Sequence, residues 1–409
     1  MGRAPGPRVP DLRRLTPAVP EGAAVLLAPA RPGRPTRYDV RSGASGATVL
    51  VPRGDRPLRE QVDDGRPRGL RAGTVRAVRG ALPRAGLTVA GPVPALVTAA
   101  VPGRPGARTA LLAGGGGPRR RGVLIVAPPT GPADLVIKAG PYASTAERAA
   151  GEQVLLRRVA AAAPGLGPKP LGGGSTGPWA WSAETLLPGW PLSEALGDES
   201  TAGRRRTAAV LEALSGHLGR LAHATAGRLD PGTVRLRGPC TDLAPLLARL
   251  VGVPGVLVHG DLATAHNVLV QGTATALVDW ETAAPGGLPL LDLLPLAALA
   301  TARAAGATST GAQAAYSLRL CAGKADRSGW FLALIASACG AGGVRLEDAG
   351  TVAALAWGHL ASMPLVHVEL ARQAGQEVEP WPTAAQDVAA AWLSHPGLGE
   401  AWPALRASA

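Results

Sequence analysis

The residues best suited to chemistry lie between positions 259 and 292. Asp261 follows the apolar run 256–258, which predicts a loop at the end of a strand, where a carboxylate can accept the proton of a substrate hydroxyl. Asn267 and Asp279 carry an amide oxygen and a carboxylate, hard ligands that suit Mg²⁺. A tight hairpin turn at 271–273 predicts that these two residues meet. Positioning a metal and a nucleophile is what phosphoryl transfer requires of a protein.

This segment resembles the aminoglycoside phosphotransferase and choline kinase-like superfamily, which has a protein-kinase-like fold. The family pattern HGDLxxxN is matched by HGDL at 259–262 and, one residue later than in the pattern, by Asn267. Its second motif, a strand followed by DW and an acidic residue, is met by VDWE at 278–281. The downstream pattern GxPxxDL is met at 287–293, and tryptophan after the DW aspartate, in place of Phe-Gly, separates this group from eukaryotic protein kinases.

The resemblance implies a role for each matching side chain. Asp261 would be the catalytic base, and Asn267 and Asp279 would bind Mg²⁺. Asp292 would be a structural carboxylate that holds the loop. We interpret His259 as a structural residue that fixes the loop backbone.

The spacing of this motif departs from the kinase pattern, in which the asparagine lies about five residues after the aspartate. Here Asn267 lies six residues after Asp261, and His266 occupies the fifth place. The apolar run 268–270 directly after Asn267 favours a one-residue bulge that keeps Asn267 as the ligand. The alternative is His266, which is disfavoured because imidazole is softer than Mg²⁺ prefers.

Far upstream, Lys138 ends an apolar, strand-like run in a chain with three lysines and 39 arginines. The resemblance implies that Lys138 contacts a phosphate of ATP and pairs with a glutamate on the next helix. Glu152 is the favoured partner and Glu147 the alternative. The resemblance also implies that backbone groups near Glu184 and Leu186 contact adenine.

Each candidate also has a plainer interpretation. Asp261 could cap its loop, Asn267 could cap a turn, and Lys138 could be an ordinary residue at a strand end. Glu152 could be a surface residue of its helix, since exposed glutamates are common. Glu281 could bind metal or substrate, or it could be solvated.

Several elements must position these residues. Three strand-like runs at 109–113, 123–127 and 135–138, with glycine- and proline-rich turns between them, predict an antiparallel meander. A helical run follows at 144–162, then short strands near 179–187. The rest reads as helices, interrupted by strands at 256–258, 268–270 and 276–278. This order predicts an α+β, bilobal protein-kinase-like fold with a small antiparallel-sheet N-lobe and a mostly helical C-lobe.

We therefore divide the chain into an Arg-rich N-terminal extension at 1–104, partly flexible and with a small α/β pattern, an N-lobe at 105–187, and a helical C-lobe at 188–409. In the extension, β-like runs at 23–28 and 47–51 flank a polar turn region. A helical pattern follows at 70–82.

Charge is unevenly distributed along the chain. The net charge is +13, but residues 1–121 hold 22 arginines, no lysine and seven acidic residues, a net charge of +15. Residues 122–409 carry a net charge of −2. An Arg-rich arm can bind an anionic surface or polymer, but no aromatic residues interleave with it to stack on bases. The sequence therefore does not favour nucleic-acid binding.

Cysteine usage and hydropathy point to the cytoplasm. Cys240, Cys321 and Cys339 are widely spaced and form no CxxC pair, as in a reduced protein without a disulfide framework. The first residues lack the apolar core of a secretory signal. The most apolar stretch, 288–307, contains two charged residues, so we predict no membrane span.

These observations predict an ATP- and Mg²⁺-dependent phosphotransferase acting on a hydroxyl of a small molecule, such as a sugar, amino-sugar, amino-alcohol or antibiotic. One alternative is a catalytically degraded kinase-like module that binds a nucleotide or a partner. A protein kinase is the other, disfavoured by the lack of Phe-Gly after Asp279 and of an Ala-Pro-Glu segment. The sequence gives no indication of oligomeric state.

Overall fold

A computed structural model describes residues 37–42, 48–52, 88–90, 108–113, 122–176, 179–196, 198–373, 379–380, 382–394 and 402–408. The chain divides into two compact units. The first comprises the described residues up to Val154 together with Lys169–Leu187, and the second comprises Leu155–Pro168 and the described residues from Pro188 onward. The predicted run at 23–28, the helical pattern at 70–82 and the turn between the strand-like runs at 109–113 and 123–127 lie outside the described residues.

The first unit contains one eight-stranded sheet in which every strand pairing is antiparallel. Its strands are β1 Arg37–Ser42, β2 Thr48–Pro52, β3 Thr88–Ala90, β4 Arg108–Ala113, β5 Gly122–Ala127, β6 Leu135–Pro141, β7 Pro170–Thr176 and β8 Trp179–Thr185. Their order in the sheet is β3-β1-β2-β4-β5-β6-β8-β7. The predicted meander corresponds to β4, β5 and β6. Because β2 pairs with β4, strands on both sides of position 105 share this sheet.

One prediction in this region is wrong. Strand β1 lies in the stretch between the two β-like runs, which the polar composition had marked as a turn region. Its sequence, RYDVRS, alternates Tyr38 and Val40 with charged residues, and such a half-polar strand shows little apolar signal. Pairing with β2 on one side and β3 on the other supplies the backbone hydrogen bonds that stabilise it.

The second unit is mostly helical. Helix α1, Tyr142–Ala162, begins in the first unit and ends in the second. The other helices are α2 Leu192–Ala195, α3 Thr201–Thr225, α4 Leu293–Ala304, α5 Thr310–Cys321, α6 Ser328–Ala341, α7 Ala349–Gln373, α8 Ala384–Ser394 and α9 Pro403–Ser408, with 3₁₀ turns at Pro231–Thr233, Gly238–Arg249 and Trp280–Thr282. A strand-rich unit followed by a mostly helical unit is the predicted α+β order, which is confirmed.

Two small sheets interrupt the helices and frame the motif region. One has the order β10-β11-β14, from Gly227–Arg228, Pro254–Val258 and Ala284–Gly287. The other has the order β13-β12-β9, from Ala274–Leu277, Val268–Gln271 and Trp190–Pro191. The sequence predicted β11, β12 and β13, each with an apolar run. It did not predict β9, β10 and β14, which have two to four residues, mostly glycine, proline or charged.

Apolar spacing decides how the long helices pack. On α3, Leu211, Leu214 and Leu221 are buried and Leu218 packs against the same core, as the three- and four-residue spacing predicts. Ser200 caps this helix by accepting a hydrogen bond from Gly203 N at 3.0 Å. Helix α4 is buried along almost its whole length and packs against α3, α5, α6 and α7.

Among the described residues, one helix is long and apolar enough to cross a membrane, the stretch Ala349–Leu370 of α7, with a mean hydropathy of 1.3. Of its most apolar window, 83% is buried within the protein. That burial is what a core helix shows, so its apolar composition is accounted for by packing.

Candidate active site

The loop that carries Asp261 starts where β11 ends, and a buried carboxylate shapes its first turn. Asp292 accepts hydrogen bonds from the backbone N–H of His259 at 2.6 Å and of Gly260 at 2.8 Å. Gly260 has φ of +82°, and a Cβ at this position would lie 3.0 Å from the carbonyl oxygen of Thr282. Only glycine suits both conditions. The loop therefore leaves the strand in one defined direction.

The His259 side chain is fully buried and belongs to the scaffold of the loop. Its Nε2 lies 2.8 Å from the carbonyl oxygen of Val278, and its ring packs against Trp280 with centroids 4.7 Å apart. Burial raises the pKa of the neighbouring Asp292, while His259 and the two backbone N–H groups oppose that change. His259 thus holds the start of the loop to the segment that carries Asp279.

Asp261 and Asn267 are in direct contact despite the longer spacing. The Asn267 amide nitrogen donates to the Asp261 carbonyl oxygen at 2.9 Å and to its Oδ2 at 3.1 Å. The Asp261 side chain remains accessible to solvent, yet surrounding protein desolvates it enough to raise its pKa to about 7. The negative charge of Asp279 adds to this increase, and the hydrogen bond from Asn267 opposes it.

Asp279 follows β13 and is held by its neighbours in an uncommon conformation. Its φ of +64° and ψ of +58° are left-handed. Val278 N donates to the Asn267 carbonyl oxygen at 3.0 Å, so the hairpin brings Asn267 and Asp279 onto adjacent backbone segments. The charge of Asp279 also reaches Asp261. The structure therefore brings all three predicted residues to one place.

Trp280 anchors the residue before it to the core. Its indole is fully buried, and Nε1 donates to the Leu277 carbonyl oxygen at 3.0 Å. It packs against Gly167, where a Cβ would lie only 3.1 Å from Nε1 and 3.2 Å from Val159 Cγ1. The conformation of Asp279 thus depends on a close fit in the core.

These side chains suit a magnesium ion shared with phosphate. Because the Asn267 amide nitrogen is bound to Asp261, its amide oxygen is the atom that can act as a ligand. Asp279 supplies a carboxylate, and the carboxylates together create a negative field that raises the pKa of Asp261. Within the described part of the chain, no group of three or more His, Cys, Asp or Glu side chains could hold a metal. In proteins, Mg²⁺ is usually bound by only a few protein ligands together with phosphate oxygens of the substrate.

Lys138 and its favoured partner Glu152 meet within the first unit. Lys138 Nζ lies 2.6 Å from Glu152 Oε1 and 3.2 Å from Glu184 Oε1, and all three residues are buried. Glu147, the alternative partner, is exposed. The Lys138–Glu152 contact is the pairing that the family resemblance implies, and a role of these residues in cofactor binding stays a prediction.

The contact of the Glu184 side chain was not anticipated. In β8, Ser182 lies opposite Lys138 and Glu184 lies opposite Val136, so Lys138 and Glu184 are diagonal neighbours on one face of the sheet. The two-residue period of a strand could have revealed this once the register was known. Leu186, the other predicted adenine contact, donates its backbone N–H to the Asp134 carbonyl oxygen at 2.9 Å. That N–H is therefore already engaged.

Sequence reasoning also missed Ser193, on α2. Its Oγ lies 2.8 Å from Nδ1 of His266, the residue considered as an alternative ligand. Burial and the positive charge of Arg303 lower the pKa of His266, which favours the neutral ring. No motif contains Ser193, and only the fold brings it beside the loop.

Comparisons with known proteins place these features in context. The model of the phosphotransferase enzyme family, APH, matches residues 115–330. A search of curated proteins found no match. One similar solved structure is an aminoglycoside phosphotransferase from Streptomyces rimosus in complex with ADP and streptomycin, with 18% identity, a TM-score of 0.36, and coverage of 58% of this chain and 88% of that one.

Two other solved structures are similar at the same level. One is an aminoglycoside-3'-phosphotransferase of type VIII, with 22% identity, a TM-score of 0.33, and coverage of 54% of this chain and 96% of that one. The other is a spectinomycin phosphotransferase in complex with ADP and spectinomycin, with 10% identity, a TM-score of 0.32, and coverage of 75% and 90%. Because the family model matches more than half of the 409 residues, including the whole of the motif region, the chain belongs to the phosphotransferase enzyme family.

Proposed function

We propose that this phosphotransferase moves the γ-phosphoryl group of ATP to a hydroxyl group of a small molecule. The observation that carries the proposal is the meeting of Asp261, Asn267 and Asp279 at one loop. Three groups of these types, on adjacent backbone segments, are what phosphoryl transfer asks of a protein. The small-molecule acceptors named for the similar structures are streptomycin and spectinomycin, and we extend only their class, a hydroxylated small molecule, to this chain.

In the proposed reaction Asp261 aligns the acceptor hydroxyl and takes its proton. The hydroxyl oxygen forms a bond to the γ-phosphorus while the bond from that phosphorus to the bridging oxygen of ADP breaks. Asn267 orients the Asp261 carboxylate through its amide nitrogen. Asn267 Oδ1 and Asp279 would hold Mg²⁺, which supplies charge neutralisation at the phosphate oxygens when bound.

Lys138 is the proposed contact for the phosphates of ATP, with Glu152 fixing its ammonium group. Glu184 and Leu186 are the proposed neighbours of adenine. The Leu186 N–H already donates to the Asp134 carbonyl oxygen, and the Glu184 carboxylate already pairs with Lys138. The three cysteines are free and buried, which suits the proposed cytoplasmic location.

The first test is turnover of ATP across a panel of hydroxylated acceptors, comparing the wild type with Asp261→Asn. We expect the variant to lose at least about a hundredfold in kcat, since a general base contributes that much, while ADP affinity changes little. Asp230→Asn, in an exposed turn, serves as the control and should keep full activity. Equal kcat for Asp261→Asn and the wild type would overturn the proposal.

A binding module without turnover is the second candidate. Two observations favour it: the additional residue between Asp261 and Asn267, and the sharing of Lys138 between two carboxylates, which reduces its positive field. It predicts ADP binding by calorimetry with no phosphorylated product from any acceptor. Phosphorylation of an added protein, and of no small molecule, would instead indicate a protein kinase.

A further inference from the structure

The loop between Asp261 and Asn267 accommodates its additional residue in a strained turn. Ala265 has φ of +60°, in the left-handed region that residues with a Cβ seldom adopt. Its N–H donates to the Leu262 carbonyl oxygen at 2.8 Å, which closes the turn, and its side chain is buried. A turn of this kind persists only where surrounding contacts stabilise it.

Ser193 makes two such contacts. Its backbone N–H donates to the Ala265 carbonyl oxygen at 3.2 Å. Its Oγ lies 2.8 Å from His266 Nδ1. When the imidazole carries its proton on Nε2, the serine hydroxyl donates to Nδ1, and in the other tautomer Nδ1–H donates to the hydroxyl. Either way, two consecutive loop residues are bound to one serine.

The segment that carries Ser193 is itself fixed to the strand after the loop. In the pairing of β9 with β12, Pro191 lies opposite Leu269 and Trp190 opposite Val270. Gly189 lies so close to this strand that a Cβ would be 2.8 Å from the Val270 carbonyl oxygen. The contacts of residues 189–193 therefore run continuously along β12 and into the loop, so Ser193 is a rigid support.

Resting on the function proposed above, we propose that Ser193 and His266 are positioning residues. Their hydrogen bond holds the expanded turn in the shape that lets the Asn267 amide nitrogen reach Asp261 across six residues. His266 occupies the sequence position at which the kinase pattern has the metal-binding asparagine. In this chain it holds the loop in shape and does not bind the metal.

The inference is tested first on the nucleotide-free protein by hydrogen–deuterium exchange of a peptide covering 259–270. Ser193→Ala and His266→Ala should each speed exchange there about three- to tenfold, the effect expected for loss of one hydrogen bond. The double variant should be no faster than either single one, because both remove the same bond. Ser309→Ala, which removes the cap of α5 bonded to Ala312 N at 3.2 Å, should leave this peptide unchanged.

A second measurement reports on the metal position. We would measure the affinity of the ADP-bound protein for Mn²⁺ from the decrease of the free Mn²⁺ signal in electron paramagnetic resonance. This affinity should weaken about five- to tenfold in Ser193→Ala. ADP affinity without metal should change less than about twofold, as expected for a binding site that the substitution does not contact. Compared with His266→Ala, the variant His266→Asn should return both the exchange rate and the Mn²⁺ affinity to wild-type values, because its amide can replace Nδ1 in the bond to Ser193.

The two measurements separate the inference from the function on which it rests. Unchanged exchange in both alanine variants, or a double variant that adds the two effects, overturns the positioning role whatever the enzyme does. A wild type that binds neither ADP nor Mn²⁺ overturns the proposed function. In that case faster exchange in the variants still shows that Ser193 and His266 hold the turn.

Discussion

At the residue scale, a side chain that contacts no reacting group shapes the backbone that presents Asp261. Asp292 uses both carboxylate oxygens, one for His259 N and one for Gly260 N. Its burial is nearly complete, so no solvent can replace either bond. The position therefore requires two acceptor atoms on one side chain.

Asp292→Asn tests this requirement. An amide offers one oxygen and turns its NH₂ group toward a backbone N–H, which leaves a buried donor without a partner. We expect a loss of about 2–3 kcal/mol in the free energy of unfolding, measured by urea denaturation. Asp230→Asn is the control, because Asp230 accepts from Gly232 N at 2.9 Å in an exposed turn, and it should lose less than about 1 kcal/mol. Equal losses in the two variants would contradict a special role for Asp292.

The residues of the site differ in how far the sequence could predict them. Asp261, Asn267 and Asp279 lie within one motif, so type and spacing were enough to single them out. Ser193 lies 73 residues from His266 in the chain, and nothing in its local sequence marks it. Its contact exists because β9 pairs with β12, and a two-residue strand leaves no pattern to read.

At the scale of elements, the register of two strands creates a buried cluster in which one positive charge contacts two negative charges. Strands β6 and β8 place Lys138 and Glu184 diagonally, and α1 adds Glu152, so one ammonium serves two carboxylates. Buried charges are tolerated only when they are paired. The lysine is therefore important for stability as well as for its proposed contact with phosphate.

Lys138→Met should lower the free energy of unfolding by about 3–5 kcal/mol, because it removes the ammonium group that two buried carboxylates contact. The matched control is Lys169→Met, an exposed lysine in the same unit, with an expected change within about 0.5 kcal/mol. Adding Glu152→Gln and Glu184→Gln to Lys138→Met should recover part of the loss. A triple variant less stable than Lys138→Met would mean that the methionine disturbs packing and that charge is not the cause.

Elements with an apolar repeat were predictable, and those stabilised by pairing alone were not. The meander β4–β6 has continuous apolar runs, and α3 has buried apolar residues spaced three and four positions apart. Strands β1, β10 and β14 are polar or rich in glycine, and their neighbours in the sheet decide that they are strands. Local sequence contains no record of those neighbours.

At the scale of the whole molecule, pH acts on the helical unit through a buried histidine. His359, on α7, is 7% exposed, and its Nδ1 accepts a hydrogen bond from Arg235 N at 2.9 Å. Burial, followed by the positive charge of Arg235, lowers its pKa from 6.5 to about 4. The folded protein thus keeps this ring neutral where an unfolded chain would protonate it.

The consequence is acid lability of the helical unit. As pH falls below 6.5, the unfolded chain gains a proton that the folded state does not bind, so the folded state loses stability until the pH reaches about 4. The full loss is about 3 kcal/mol. In His359→Asn, whose amide oxygen can accept from Arg235 N, the urea midpoint should fall less between pH 7 and pH 4.5. Parallel midpoints for the two proteins would show that His359 does not titrate in this range.

Because Trp280 packs closely against Gly167, substitutions in this part of the core also affect the segment that carries Asp279. A Cβ at position 167 would lie 3.1 Å from Trp280 Nε1, so the indole would have to shift by a few tenths of an ångström beside the left-handed backbone of Asp279. Substitutions that enlarge this part of the core would therefore be eliminated by selection for activity even if the fold tolerated them. In directed evolution, position 167 should therefore tolerate as little variation as a residue of the active site, although it lies in the core.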